Sequence, residues 1–463
     1  MGLMSGLFRL VHGRKVKALA AIPGPTPKFP FGTALDFVCT RQKPWEVCAD
    51  YATKYGGMTL IWTMGKPGVV LNDPALIKQV LETDADSYYK GLPDKPLIPV
   101  LTKEEMFIST GEHWSFMRGN SPFNMPGATA WMEEQVPVLR DFIASVIGEQ
   151  SKRDQPVDLL PAFWRIYYDA FSQIVWGKTF GDTNYNQFMK LGRKGSKRLT
   201  SPMQFLPVLS PFFYATRANY HATFRKEVEE AKAHPDPQAR DLLSVVFRTG
   251  TKLDDRLLAL TLSATLYFGG ALSASSAMLT TLYLMAKDPA LAERVCGEVR
   301  QHVKPGVPLD IGALEQCKQL DFVLREAMRY WPPVPLYFRN VRRDKPAQLG
   351  GHTLPPDTLI FISNWHLQRE STHWKEPQRI DPSRWDNGGR EANPLGSDYF
   401  FPFGRGPRSC AGQQFAMIYM KTALATILSD YRLEIDPTQP FVQDYFFAVM
   451  AAKGIKGKLV REV

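Results

Sequence analysis

The chain has 463 residues, 44% of them hydrophobic and 22% charged, with a formal net charge of +10. That composition excludes a disordered or collagen-like chain, and the length suffices for a sizeable buried core. Five cysteines (Cys39, Cys48, Cys296, Cys317, Cys410) without CxxC spacing suit neither a disulfide framework nor a structural zinc site, and no zinc-finger spacing or basic block supports nucleic-acid binding.

Residues 1–22 carry Arg9, Arg14, Lys15 and Lys17 among scattered apolar positions. The segment is too short and too charged to span a bilayer and lacks the apolar stretch of a secretory signal, so it is read as a candidate surface helix touching a membrane peripherally. Pro23, Pro25 and Pro27 then stop any helix. Apolar residues at helical spacing predict helices over 44–56, 74–84, 130–152 and 156–178. Strand signals fall at 58–71, at 347–362 and near the C-terminus. Lys252–Lys287 contains no proline and, from Leu257 to Ala286, no charge. As one helix it is about 50 Å long. It reads either as a membrane span or as a long buried helix. Its Ser and Gly content (Ser263, Gly269, Gly270, Ser273, Ser275, Ser276) and its mid-chain position favour the buried helix. The balance predicts a mainly α fold with a small β-rich lobe, residues 23–463 forming a single domain.

The segment with the most chemistry in it is Phe401-Pro402-Phe403-Gly404-Arg405-Gly406-Pro407-Arg408-Ser409-Cys410-Ala411-Gly412, followed by a helical pattern. Gly404 and Gly406 permit a tight turn, and Gly412 permits close backbone approach. Cys410 falls at a helix N-terminus, where the dipole favours a thiolate, and Arg408 sets a cation two residues away, suited to a carboxylate. A phosphate-cradling loop fails on spacing, whereas a buried structural cysteine in a glycine-rich turn stays compatible with this segment alone. Upstream, Glu326 and Arg329 share a helix face that Pro332-Pro333-Val334-Pro335 terminates. Asp381-Pro382-Ser383-Arg384-Trp385 follows, and Trp114 and Arg118 stand four apart earlier in the chain.

Together these segments resemble, in order, the cytochrome P450 superfamily of haem-thiolate monooxygenases, from about residue 23 to the C-terminus. The resemblance implies the P450 fold, mainly α with a small β-rich lobe and with 257–286 as its long central distal helix. It implies haem b (iron protoporphyrin IX) with Cys410 as the metal ligand and Phe403 packed beside the porphyrin. Arg408, Trp114, Arg118 and Arg339 become propionate partners, Gly404 and Gly412 shape the loop, and Glu326, Arg329 and Arg384 form a buried structural network. A pocket would draw on residues 92–110 (Leu92, Leu97, Ile98, Phe107), on Phe268 and Leu272, on Val334, Leu336 and Tyr337, and on a C-terminal turn with Phe447. The implied substrate is a lipophilic small molecule, with O2 as the oxidant. The electron source is NAD(P)H acting through a ferredoxin or flavoprotein reductase, docked near Arg405 and Lys421. A monomer is expected.

The sequence departs from the family pattern in the central helix, which usually carries an acid followed by Thr. Here Gly269 and Gly270 remain small, but Leu272 stands at the acid position and Ser273 at the Thr position, so the expected catalytic positions are Ser273, Gly270 and Leu272. A serine hydroxyl, from Ser273 or from Ser275 or Ser276 in a shifted register, could still orient water. The alternatives are an isomerase, lyase or peroxygenase acting on a hydroperoxide or H2O2, and more remotely a haem sensor or carrier without chemistry.

Overall fold

The computed structural model of the protein describes residues 2–38, 40, 42–90, 104–152, 155–199, 211–304, 306–386, 398–446 and 449–461. Its first element is helix α1 (Leu3–Ala18). Strands β1 (Met58–Thr63) and β2 (Lys66–Leu71) follow as a hairpin turned by Met64 and Gly65, both at positive φ, as a two-residue connection requires. β3 is the short strand Tyr88–Tyr89. Helix α2 (Gly111–Gly119) and helix α3 (Leu159–Trp176) precede the long helix α4 (Asp255–Lys287). Helix α5 (Lys318–Tyr330) leads into β4 (Leu336–Val341) and β5 (Leu359–Ser363), and helix α6 (Gln413–Asp430) follows the cysteine segment.

One sheet has the order β1-β2-β5-β4-β3, with β2 and β5 parallel and the other pairs antiparallel. Its strands are apolar on both faces because both are covered. Leu60, Trp62, Val69 and Leu71 face one buried cluster, and Ile61 and Val70, one residue out of phase, face another. The largest core is helical and gathers α3, α4, α5 and α6. The result is a mainly α protein with a small β-rich part.

The predicted helices form with informative breaks. The 130–152 pattern divides into Ala128–Glu134 and Val136–Ser151, since Pro137 lacks the N–H a continuous helix would need and fits the first turn of a new one. The 74–84 pattern runs as Pro74–Lys78 and then opens into a wide π turn at Gln79–Thr83. α3 starts at Leu159, where the Asp158 carboxylate accepts the Leu160 N–H, and stops at Gly177 with φ +70°. The apolar stretch of α4 is 75% buried, so its hydropathy belongs to the protein core. Within it, Thr265–Ala271 is a second π segment, flanked by regular helix on both sides.

Candidate functional site

The cysteine segment leaves the sheet side of the molecule, turns at Gly404 (φ +74°) and Gly406 (φ +68°), and runs directly into α6, whose N-cap is Gly412. At Gly406 the glycine is obligatory twice over, because a Cβ there would also collide with the Leu81 carbonyl. Arg405 staples the turn to its surroundings: Nε and Nη2 donate to Glu82 at 2.8 and 3.1 Å, and Nη1 donates to Asp398 at 2.7 Å. Tyr337 on β4 donates its hydroxyl to the carbonyls of Phe401 and Pro402, each at 3.0 Å. The Cys410 N–H closes the loop on the Phe403 carbonyl at 2.8 Å.

So held, Cys410 opens onto a cavity of about 300 Å³. Enclosure by the protein pushes its thiol pKa up, while the Gly412 N–H and the charges of Arg118 and Lys90 oppose that rise. Four cations share the cavity wall: Lys90, Arg118, Arg339 and Arg408. Burial lowers all four. Arg339 falls to about 10, and Arg408, repelled also by Arg339 and Arg118, falls to about 9. Lys90 drops well below its ordinary value through burial and the same arginines, and Arg118 drops through burial. Their hydrogen bonds go to backbone: Arg118 to the Ser409 carbonyl at 3.0 Å, Arg408 to Ser109 at 2.9 Å and Arg339 to Phe338 at 2.8 Å. Trp114 lies flat under the Arg408 guanidinium, 3.8 Å from ring centroid to carbon, and Phe107 lies under Lys90 at 3.6 Å.

Behind the loop sits a buried ionic network. Glu326 accepts from Arg329 Nη2 and Nε (2.8 and 2.9 Å), from Arg384 Nε (3.2 Å), from the Asp381 N–H (2.8 Å) and from Trp385 Nε1 (3.0 Å). Arg329 spends its remaining donors on the carbonyls of Gln368, Pro377 and Arg379. Every partner is satisfied, as two side chains with no solvent exposure require.

Across the cavity α4 presents Thr261, Ala264, Thr265, Gly269, Gly270, Ser273, Ala274 and Ala277. The Ser273 hydroxyl donates to the Gly269 carbonyl at 2.6 Å and faces the cavity.

A profile of the cytochrome P450 family matches residues 22–459. The chain belongs to the cytochrome P450 family. Among its relatives, cytochrome P450 3A13 of Mus musculus is 25% identical over 451 residues, covering 91% of this chain and 87% of that protein. Cytochrome P450 3A9 of Rattus norvegicus matches with the same identity and coverage. Cytochrome P450 3A6 of Oryctolagus cuniculus is 25% identical over 443 residues, covering 89% and 86%. This P450 is therefore an oxidoreductase of the monooxygenase type, with haem b as cofactor, O2 and a lipophilic substrate as reactants, and electrons from NAD(P)H through a redox partner.

The residues present fit that cofactor. Among the described residues no carboxylate pairs with Lys90, Arg118 or Arg408, so three of the four cations are left without an anion beside a thiol. A group with two propionates and a thiolate-seeking iron supplies what they lack.

Several sequence expectations change in detail. Leu272 is 2% exposed and packs into the helical core, and it does not line the cavity. Ser275 and Ser276 are likewise buried in the helix packing. Gly270 reaches the cavity by its backbone, and what demands a glycine there is Tyr167, whose ring and hydroxyl occupy the place of a Cβ. Val334, Leu336, Phe107 and Tyr337 line the cavity as expected from their positions, but the Tyr337 hydroxyl is turned to the cysteine loop. Arg405 is engaged by two carboxylates and Lys421 is half-buried beside Asp321, so neither is an open docking cation. Leu92, Leu97, Ile98, Phe447 and the Phe268 side chain lie outside the described residues. Lys90, Tyr167, Thr261 and Thr265 were not singled out, since isolated residues of common type carry no mark until the fold brings them together.

Proposed function

We propose that this P450 inserts one oxygen atom of O2 into a lipophilic small molecule held between α4 and the cysteine loop, where the Cys410 sulfur would hold the haem iron. The observation that carries this reading is the Cys410 thiol opening onto a cavity ringed by Lys90, Arg118, Arg339 and Arg408. Those cations, with Trp114, would hold the two propionates, and Phe403 would flank the thiolate. When bound, the haem supplies a redox-active iron for O2 activation, and a thiolate ligand favours O–O cleavage. The chain's own residues do the rest. The Gly412 N–H and the nearby cations offset part of the rise that burial imposes on the sulfur's pKa, and binding to the iron would complete its conversion to thiolate. The Glu326–Arg329–Arg384 network and the Tyr337 hydroxyl keep the loop in place. Met106, Phe107, Ala264, Ala274, Val334 and Leu336 exclude water and accept an apolar substrate. Ser273 keeps a hydroxyl oxygen toward the cavity, where it can accept a proton-bearing water.

With Leu272 turned into the core, no carboxylate on α4 shares proton delivery, so the load falls on Ser273 and on water held by Thr265 and Thr261. Residues 23–463 work as one domain and the protein as a monomer, reduced by a ferredoxin or flavoprotein. It meets membranes peripherally. The test is the difference spectrum of reduced protein with carbon monoxide, for wild type and Cys410→Ala. A strongly red-shifted Soret band present only in the wild type is the expected result. An imidazole-like band that survives in the variant refutes the assignment.

A further inference from the structure

The first 35 residues are one-sided in charge. They hold Arg9, Arg14, Lys15, Lys17 and Lys28, and the first acid is Asp36. α1 folds back onto the β1–β2 hairpin. Phe8, fully buried, meets Trp62 edge-on at 5.5 Å, and the His12 ring lies tilted against Phe8 at 4.7 Å and covers Gly65. The Met4 carbonyl accepts the Phe29 N–H at 3.0 Å. These contacts occupy one side of the helix and fix its rotation.

The opposite side has no cover. Leu3, Leu7, Leu10 and Val11 recur at i, i+4, i+7 and i+8, the spacing of one helical face, and are 87%, 37%, 81% and 55% exposed. Of the thirteen exposed large apolar side chains among the described residues, eight lie between Leu3 and Met64, so the exposure is concentrated rather than scattered. Phe31 and Met64 belong to the turns that α1 packs against, joined by the Met64 N–H to Phe31 carbonyl bond at 3.2 Å. An isolated exposed leucine needs no explanation, whereas a stripe on a helix already docked by its other face marks a binding surface.

We propose that the outward face of α1, edged by Phe31 and Met64, docks on an anionic lipid bilayer, the helix lying in the plane of the headgroups. The proposal rests on the peripheral membrane contact stated above and names its residues and its lipid class. Charge selects the occupant. Five cations and no acid within 35 residues complement an anionic surface, whereas a second copy of the chain would set that charge against itself. Length agrees: sixteen helical residues rise about 24 Å, short of a bilayer core of about 30 Å, and half their circumference is already bound to protein.

The experiment is flotation of the holoprotein with vesicles of phosphatidylcholine alone and with about 30 mol% phosphatidylglycerol. Wild type is expected to float with the anionic vesicles, less with the neutral ones, and less as salt is raised. The double variant L3E/L10E, at the two most exposed apolar positions of the helix, is expected to lose about tenfold or more of that binding with its carbon monoxide spectrum unchanged. If wild type does not float with anionic vesicles at low salt, both the docking site and the membrane contact are wrong. If L3E/L10E floats as wild type does, the contact stands elsewhere and α1 is not its site. If L3E/L10E instead turns a sedimenting dimer into a monomer, the face is a self-association surface and the proposal is overturned.

Discussion

Replacing Glu326 by Ala removes the one anion of a network whose two cations, Arg329 and Arg384, are 0% and 4% exposed. Taking one partner from a buried pair costs about 3–5 kcal/mol, because the other charge stays buried. Here two guanidiniums and two neutral donors, the Asp381 N–H and Trp385 Nε1, lose their acceptor together. Each orphaned neutral donor adds about 1–3 kcal/mol. Even the low end of that sum, about 5 kcal/mol, matches the lower bound of the usual stability of a folded protein. Glu326→Ala is therefore expected to yield little folded, haem-loaded protein. Trp385→Phe is the graded control: it deletes one hydrogen bond to a charged acceptor, about 1.5–3 kcal/mol, and keeps the ring packed between Trp374 and Phe400. Unfolding followed by far-UV circular dichroism and Soret absorbance should rank wild type above Trp385→Phe, and that variant above Glu326→Ala. A Glu326→Ala protein within about 1 kcal/mol of wild type would refute the view that this carboxylate holds the loop.

Four further outcomes are expected. Gly270→Ala should destabilise by about 1–3 kcal/mol or more, since Tyr167 is buried between Phe171 and Tyr419 and cannot retreat; Tyr167→Ala, but not Tyr167→Phe, should rescue it in thermal melts. Ser273→Ala should leave the carbon monoxide spectrum intact and raise the peroxide released per NAD(P)H oxidised, measured with a peroxide-specific dye. Arg408→Ala should speed haem transfer to a scavenging apoprotein by about 10- to 100-fold, through loss of a charge-assisted contact. His221, on the helix Pro211–Ala233, is held near about 4 by burial and by Arg217, with neither ring nitrogen partnered. The unfolded chain binds that proton near 6.5, so this contribution to stability is complete above pH 6.5 and is lost as pH falls toward 4; it amounts to on the order of 3 kcal/mol. His221→Phe should flatten the slope of unfolding free energy across that window.

The cysteine loop, the Glu326 network and the Trp114–Arg118 pair were legible because each is local: fixed spacings along one segment set their geometry. Trp385 was legible only as part of its segment; that its indole donates to Glu326 depends on a fold-back of nearly sixty residues. Lys90 joins the cation cluster from the end of β3, and nothing in its neighbours marks it. The glycine at 270 was read as a small residue of the family pattern, yet what demands it is a tyrosine on another helix, a contact no periodicity encodes. Leu272 was given a position in a catalytic pattern, and its apolar side chain follows the core instead. The docking of α1 was invisible for the same reason, since Trp62 and Gly65 come from a hairpin some fifty residues away.

The π segment at Thr265–Ala271 acts as a rotational spacer. One residue more or less in a helix turns everything after it by about 100°. Lengthening this segment by one residue would therefore put Leu272 in the place of Ser273 and move Ser273 to that of Ala274, setting a greasy side chain where a wet one now stands. Which of two adjacent side chains looks toward the reacting oxygen is set by a wide turn upstream, and the chemistry of this wall can change without any of its own residues being altered.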